Sequence, residues 1–442
     1  MNKDQETELN EFKEPAAAVA ALRTTTAIRE RAHALLARAR RDESRWFTIG
    51  SGDAMEDAAR AVAHLTRERF GNGPVQYHSR WRHFEAGGID RLAKLDELLG
   101  PQATPRERAR VQIDLVLVSV LLDADAGTDW HYVESASGQK FTQSEGLAVA
   151  SFHAFTSGLF SSDPDHPLRA DAAGLRGLVT DRLGDAFQVS SSNPLAALAG
   201  RATLLRRLGE ALSEQPEIFA QDGGKARPGG LFDAAVGPFG PGVPATAEVG
   251  AHALLSLVLA AMSRIGPAAN AIDRGHGPDG LGSGDPAFAL GDCWHHSAVK
   301  GPGLTRGWMP FHQLSQWLTC SLLEPFERAG VKVRGVDVLT GLPSYRNGGL
   351  FLDAGVIVPR DRSCLARRWK VGDEFIVEWR ALTVALLDEL APHVRQALGR
   401  SLAEMPLACM VEVDSAAAGQ ASSSRLHDGA PPLSIESDGT VF

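Results

Sequence analysis

Leu195–Leu212, LAALAGRATLLRRLGEAL, sets Leu198, Leu204, Leu205, Leu208 and Leu212 along one stripe of an α-helix, with Arg206 and Arg207 beside it. The same rhythm recurs outward in both directions. Upstream, Ala16–Arg40, Asp53–Phe70 and Ser144–Phe160 place apolar residues at helical intervals; downstream, Val249–Ile265, the PFHQLSQWLTCSLL run after Pro310, and Asp373–Leu398 do likewise. The chain therefore reads as mainly α with a few short strands. Arg106–Leu122 runs into VQIDLVLVSVLL, whose β-branching leaves helix and buried strand open. Tyr77–Phe84, YHSRWRHF, has the composition to stack on a base and hold a phosphate, but reads more simply as a surface loop packing its rings. The arginine-rich side of Ala16–Arg40 reads as a solvated face. Phe219–Pro244 is rich in Gly and Pro and reads as loop, with Gln221–Pro244 a candidate lid. LFLDAGVIV after Gly349 reads as a strand, and Asn193 before Pro194 as the cap of the next helix.

Composition narrows the function classes. With 442 residues, 44% hydrophobic and 22% charged, the chain is globular, and its net charge of -9 offers no general attraction to nucleic acid or anionic membranes. No stretch approaches the ~20 apolar residues of a membrane span, and the acidic start lacks a secretory signal. Four scattered cysteines without CxxC spacing fit neither a zinc ribbon nor a disulfide framework, so a reducing cytoplasm is expected. The expected organisation is an N-terminal helical segment over residues 1–45, one large helical catalytic domain over 46–414, and an irregular tail over 415–442.

Chemistry-bearing residues concentrate between Leu290 and Val358. Asp292, Trp294, His295 and His296 sit in a Gly-bounded loop; His312, Gln316 and Thr319 share one face of the helix that follows Pro310; Tyr345 and Arg346 stand in the LTGLPSYRN turn. Earlier, DADAGTDWHY sets Asp123, Asp125 and Asp129, then Trp130, directly after an apolar element, where a rigid edge presents site residues. Neither GxxxxGK[ST] nor GxGxxG is present, which removes the usual nucleoside-triphosphate loops.

The segments LLDADAG…WHY, SEGLAVAS, FQVSSSNPLAALAGRATLLRRLG, GDCWHH, PFHQLSQWL, LTGLPSYRNGGLFLDAGV and SDGTVF together resemble the uracil-catabolism family of the URC pathway, long carried as a domain of unknown function. The resemblance runs from about Phe47 to the C-terminus. More distantly, the Asn193 segment and the LTGLPSYR turn are similar to queuosine 5′-phosphate N-glycosylases, which implies a helical glycosylase-like fold and a closed pocket for a nucleoside 5′-phosphate. It also implies cleavage of an N-glycosidic bond, ribosylurea 5′-phosphate giving urea and ribose 5-phosphate. Such cleavage develops oxocarbenium character, so a carboxylate against the ribose lowers the barrier. Asp123 and Asp292 are the candidate acids, and His296 or His312 the candidate proton-transfer groups. Arg201, Lys300 and Arg346 are candidates for the phosphate, Trp130, Trp294 and Tyr345 for the pocket wall, and Gln316 and Asn193 for substrate hydrogen bonds. Where the queuosine-phosphate enzymes carry acids, this chain has Ser344 and Ser321.

This reading expects a small nucleotide-like substrate, no cofactor, no metal, no nucleic acid and no membrane, and leaves oligomeric state open. Two others compete. A zinc ion gathered by Asp123, Asp125, His295 and His296 would make a metal-dependent amidohydrolase, and a non-catalytic nucleotide-binding protein would need no acid at all.

Overall fold

The computed structural model describes residues 12–220, 223–237, 247–262, 265, 270–272, 288–410 and 433–436. Helices dominate, and the strands are two or three residues long and joined in pairs. No described helix is long and apolar enough to cross a membrane. The chain forms two compact units, each drawn from separate stretches. The first takes Met1–His78, Pro267–Gln316 and Val336–Ser437; the second takes Ser79–Gly266, Trp317–Gly335 and Asp438–Phe442.

In the first unit, the Glu374–Leu398 helix is buried without a break from Phe375 to Leu387. It packs against the helices Thr25–Arg40 and Gly52–Phe70. Its N-terminal ring, Phe375, stacks on Trp369 at 4.5 Å and on Phe47 at 4.7 Å. Ala16–Arg40 is not one helix. Arg23 closes the first piece, Pro15–Leu22, and Thr24 starts the second, Thr25–Arg40, by accepting from the Ala27 amide at 3.1 Å. Nor is its arginine face simply solvated, since Arg29 pairs with Asp388 at 3.1 Å and Arg40 with Glu389. The strand expected in LFLDAGVIV is mostly helix: Tyr345–Asp353 is helical, and only Ile357–Pro359 extends, antiparallel to Phe47–Ile49. One turn earlier in that helix, Trp379 donates to the Gly348 carbonyl and sits so close to Gly348 that a Cβ there would lie 2.4 Å from the indole. The helix after Pro310 starts only at Gln313, leaving His312 before it in the left-handed region at φ 50°. Most of the tail lies outside the described residues, but Ser434–Glu436 pairs in parallel with Arg368–Lys370.

In the second unit, Pro105–Leu121 resolves the ambiguous apolar run as a helix. Pro105 at its first position and the Thr104 side chain on the Glu107 amide start it. Because Val111 to Leu121 are buried all round, no helical stripe could show in the sequence. YHSRWRHF is not a surface loop. Arg80–Phe84 is a short helix with Arg80, Trp81, Arg82 and Phe84 buried. Within the expected Gly/Pro loop, Gly230–Val236 is helical, anchored by Asp233 to Arg106 and Arg110 at 2.7 Å each. Residues 221–222 and 238–244 of the candidate lid lie outside the described residues.

Candidate functional site

The predicted residues divide between the two units. Asp123, Trp130, Asn193 and Arg201 belong to the second; Asp292, Trp294, His296, Lys300, His312, Gln316, Tyr345 and Arg346 belong to the first.

In the first unit, Asp292 is the centre of a tightly bonded hub. Its carboxylate takes both terminal nitrogens of Arg380 at 2.8 Å, Trp294 Nε1 at 2.7 Å and the Gln313 amide at 3.0 Å, while its carbonyl accepts from the amides of Phe311 and His312. Burial alone would raise this carboxyl, but the Arg380 guanidinium outweighs it and holds the group below the ordinary range. The hub joins the Cys293–His295 strand, the start of the Gln313–Arg328 helix and the Glu374–Leu398 helix. Its acceptor sites are filled by the protein.

His296 is also committed. Its Nδ1 accepts the Ala298 amide at 3.1 Å, so the proton lies on Nε2 and is donated to Glu378 at 3.1 Å. The other Glu378 oxygen receives the Ser44 hydroxyl, which in turn accepts the amides of Trp46 and Phe47. His312 Nε2 donates to the Leu22 carbonyl at 3.0 Å, and burial holds its pKa below the ordinary value. Gln316 bonds Phe311 O at 3.0 Å, Thr340 Oγ1 at 2.7 Å and the Thr340 amide at 2.9 Å, using both ends of its amide. Trp294 is half-buried, Lys300 is exposed, and Tyr345 is exposed with Arg346 Nε on its hydroxyl at 3.1 Å. Ser344 caps the Tyr345–Asp353 helix through the Asn347 amide. A cleft of about 430 Å³ in this unit is lined by residues including Arg40, Asp42, Gly50, Ser51 and Glu389, and by none of the predicted site residues.

In the second unit, three of the four predicted residues do structural work. Trp130 is buried with Nε1 on Phe187 O at 3.0 Å. Asn193 does not cap the following helix, whose N-cap is Ala197 in the left-handed region. Its side chain instead holds the His131 amide at 2.9 Å and the carbonyls of His131 and Gln188 at 2.8 Å, pinning the His131–Val133 strand. Arg201 donates to the carbonyls of Leu122, Ala124, Asp125 and Ala196, closing the C-terminal end of the Pro105–Leu121 helix. Burial lowers its pKa to about 10, with Asp123 and Asp125 opposing.

Asp123 is different. Its side chain keeps 10% exposure, and Oδ1 lies 2.8 Å from Nη1 of the fully buried Arg80. Arg80 is fixed from behind: its amide donates to Ser321 Oγ at 3.0 Å, Nε to Ser119 Oγ at 2.8 Å, and Nη1 to Ser144 O at 3.1 Å and His83 Nδ1 at 3.3 Å. Ser151 gives its hydroxyl proton to Ala148 O, so Ser119 must donate to Ser151, which leaves the Ser119 lone pairs for Arg80. The indole of Trp317 flanks both the guanidinium, at 5.8 Å, and the His83 ring, at 6.1 Å. Arg80 Nη2 has no hydrogen-bond partner among the described residues. Burial lowers the Arg80 pKa against the pull of Asp123. Both predicted acids thus meet a fully buried arginine at 2.8 Å with similar exposure, 10% at Asp123 and 12% at Asp292; they differ in that the Asp292 oxygens also receive Trp294 and the Gln313 amide.

Sequence reasoning missed Arg80, His83, Arg380 and Glu378 as site-building groups. Signals existed. YHSRWRHF mixes rings and cations, and FIVEWRALTVALL carries Glu378 and Arg380 inside an apolar run, where a charge needs a partner. For the zinc reading, Asp123 and Asp125 lie in the second unit and His295 and His296 in the first, with both His296 ring nitrogens already bonded. Among the described residues no group of three or more His, Cys, Asp or Glu is arranged to hold a metal ion.

Comparison with known proteins adds a family. Residues 21–442 match the family described as "Protein of unknown function (DUF1688)". A relative from Schizosaccharomyces pombe, "Protein urg3", is 36% identical over 431 residues, covering 96% of this chain and 99% of the relative. "Uracil catabolism protein 4" of Lachancea kluyveri is 35% identical over 416 residues, covering 88% and 90%.

Proposed function

Because this chain belongs to the DUF1688 family, the uracil-catabolism family that its motifs resemble, we propose that it is an N-glycoside hydrolase of uracil catabolism. Its substrate is a nucleoside 5′-phosphate or the ring-opened ureido nucleotide ribosylurea 5′-phosphate. The observation that carries this reading is Asp123, a partly exposed carboxylate fixed 2.8 Å from a fully buried guanidinium. Breaking the C1′–N bond sends the electron pair to nitrogen and leaves positive charge on C1′ and the ring oxygen. A carboxylate already aimed and held needs no reorganisation as that charge develops. Water adds its oxygen to C1′, and its proton ends on the departing nitrogen, giving ribose 5-phosphate and urea.

The buried Arg80 fits this design, because an unsatisfied buried donor costs about 1–3 kcal/mol and a bound acceptor relieves it. Ser321 stands where the queuosine-phosphate enzymes that the sequence resembles carry an acid, and here it receives the Arg80 amide. Asp123 brings a carboxylate to the same arginine from the end of another helix. Asp292 is the weaker acid candidate, since its oxygens already serve Arg380, Trp294 and Gln313.

The test is direct. Purified protein incubated with ribosylurea 5′-phosphate should release urea and ribose 5-phosphate in equal amounts, and Asp123→Asn should lower kcat by about 10²–10³. Folded wild-type protein that releases neither product refutes the reading.

A further inference from the structure

We infer that Arg31 and Lys300, in the first unit, form a binding site for the phosphate group of a monoester or for phosphate itself, a role that does not depend on the hydrolase reading. Arg31 lies half-buried on the Thr25–Arg40 helix, facing Gly301 in the loop between Val299 and Gly307. Among the described residues its guanidinium makes one hydrogen bond, a long one of 3.4 Å from Nη1 to the Ala27 carbonyl of its own helix. Nε is sealed from water and has no partner there; Nη2 has no acceptor either, but it is not sealed. Burial lowers the Arg31 pKa, opposed by Cys293 and Glu30. Neither is a counter-ion. Cys293 is a thiol that burial pushes up, and Glu30, exposed at the adjacent helix position, makes no ion pair with Arg31. Taking a cation partly out of water without a counter-charge is costly, and a bound anion relieves that cost.

The open edge has the shape for an oxyanion. In Arg91 the edge formed by Nε and Nη2 holds both oxygens of Glu134, at 3.0 and 2.9 Å, and in Arg334 it holds both of Glu248, at 3.1 and 2.6 Å. The same edge of Arg31 is the one without an acceptor. Gly301 keeps it approachable. A Cβ there would stand 3.0 Å from Arg31 Nη2 and 2.7 Å from Thr305 Oγ1, while the φ of Gly301 is not left-handed, so space and not backbone conformation calls for glycine.

The second cation selects the ligand. Lys300 directly precedes Gly301, is exposed, and pairs with no described carboxylate, although its charge reaches Glu43. A carboxylate ligand would satisfy the Arg31 edge alone. Two neighbouring cations match the double charge of a phosphate monoester.

The experiment uses the full chain with inorganic phosphate, ribose 5-phosphate and acetate at constant ionic strength, read by calorimetric titration and thermal unfolding. Phosphate or ribose 5-phosphate at about a hundred times its Kd should raise Tm by about 3 °C, and acetate should not. Arg31→Gln should weaken binding about ten-fold or more, and Lys300→Gln about two- to five-fold. Without phosphate, Arg31→Gln should leave Tm unchanged or higher, because the guanidinium holds almost nothing in place; a purely structural arginine would lose stability instead. Tighter binding of ribose 5-phosphate than of phosphate assigns a sugar phosphate, and equal binding assigns phosphate itself. No binding by the wild type, acetate bound as tightly as phosphate, or Kd and stoichiometry unchanged in Arg31→Gln overturns the site. If Arg31→Gln does not fold, Lys300→Gln, at an exposed position, decides, and an unchanged Kd there overturns it. None of these readouts needs turnover, so a failure of ribosylurea 5′-phosphate hydrolysis leaves them standing.

Discussion

Asp292→Asn should damage the fold far more than the chemistry. The carboxylate and Arg380 form a two-point ion pair at 2.8 Å, with side-chain exposures of 12% and 0%. Asparagine keeps one carbonyl oxygen but turns an NH₂ toward a guanidinium that has no route to water. Removing one partner of such a pair typically costs about 3–5 kcal/mol, mostly because the remaining charge is stranded. For 442 residues unfolding as one transition, the entropy at the midpoint is about 0.9 kcal/mol/K, so Tm should fall by about 3–5 °C. Trp294 bonds one Asp292 oxygen and the Gln313 amide the other, so asparagine also loses one of these two bonds, which acts in the same direction. The assay is thermal and urea unfolding followed by circular dichroism, with kcat measured on the surviving folded protein. A stability loss under about 1 kcal/mol together with a kcat loss beyond 100-fold would refute the hub and restore Asp292 as the catalytic acid. The pH dependence carries a second check. The folded Asp292 carboxyl lies below its ordinary value of 3.8, so its contribution is complete above that value and is lost as pH falls through the lower folded one. The gap between wild type and variant should therefore be widest above pH 3.8 and narrow below it.

Other expectations follow from single contacts. Gly348→Ala would set a Cβ 2.4 Å from the Trp379 ring and should cost about 1–3 kcal/mol or more; an unchanged Tm would show that the helix can shift. Asn193→Ala removes three hydrogen bonds, two to His131 and one to the Gln188 carbonyl, and should cost about 2–4 kcal/mol; Asn193→Asp, which keeps the acceptor but not the donors, should be nearly as harmful, and equal stability of all three proteins would refute the pinning. Burial would raise Glu134, but Arg91, His153 and Ser137 pull it down to about 2 from 4.5. Its stabilisation should be complete above pH 4.5 and fade toward pH 2, and Glu134→Gln, tested by urea unfolding across that range, should remove this acid limb.

The helical class was legible because amphipathic helices write their period into the chain, as Leu195–Leu212 does and as the observed Leu198–Glu214 helix bears out. Legibility ended where burial became complete. Pro105–Leu121 has no solvent face, so its pattern could not separate helix from strand. The Leu350 to Val358 run looked extended because, Asp353 apart, the end of a short helix and the start of a following strand join into one apolar stretch. Arg80–Phe84 read as a loop because its charges face inward, against the usual rule for cations.

For the site, sequence alone supplied residue types and their nearness along the chain, enough to single out Asp123 and the Leu290–Val358 stretch. It could not say what those side chains do, because hydrogen bonds are spent between segments far apart in the chain. Asp292 meets Arg380 across 88 residues, Asn193 meets His131 across 62, and Arg80 meets Ser119 across 39. Only the tertiary arrangement decided that Asp292, His296 and Gln316 spend their polar atoms on the fold, Asp292 by taking Arg380, Trp294 and the Gln313 amide, while Asp123 meets Arg80. The period of an apolar stripe is a local property, written in neighbouring residues. Whether a carboxylate is free to act depends on which distant cation and amides have already claimed it.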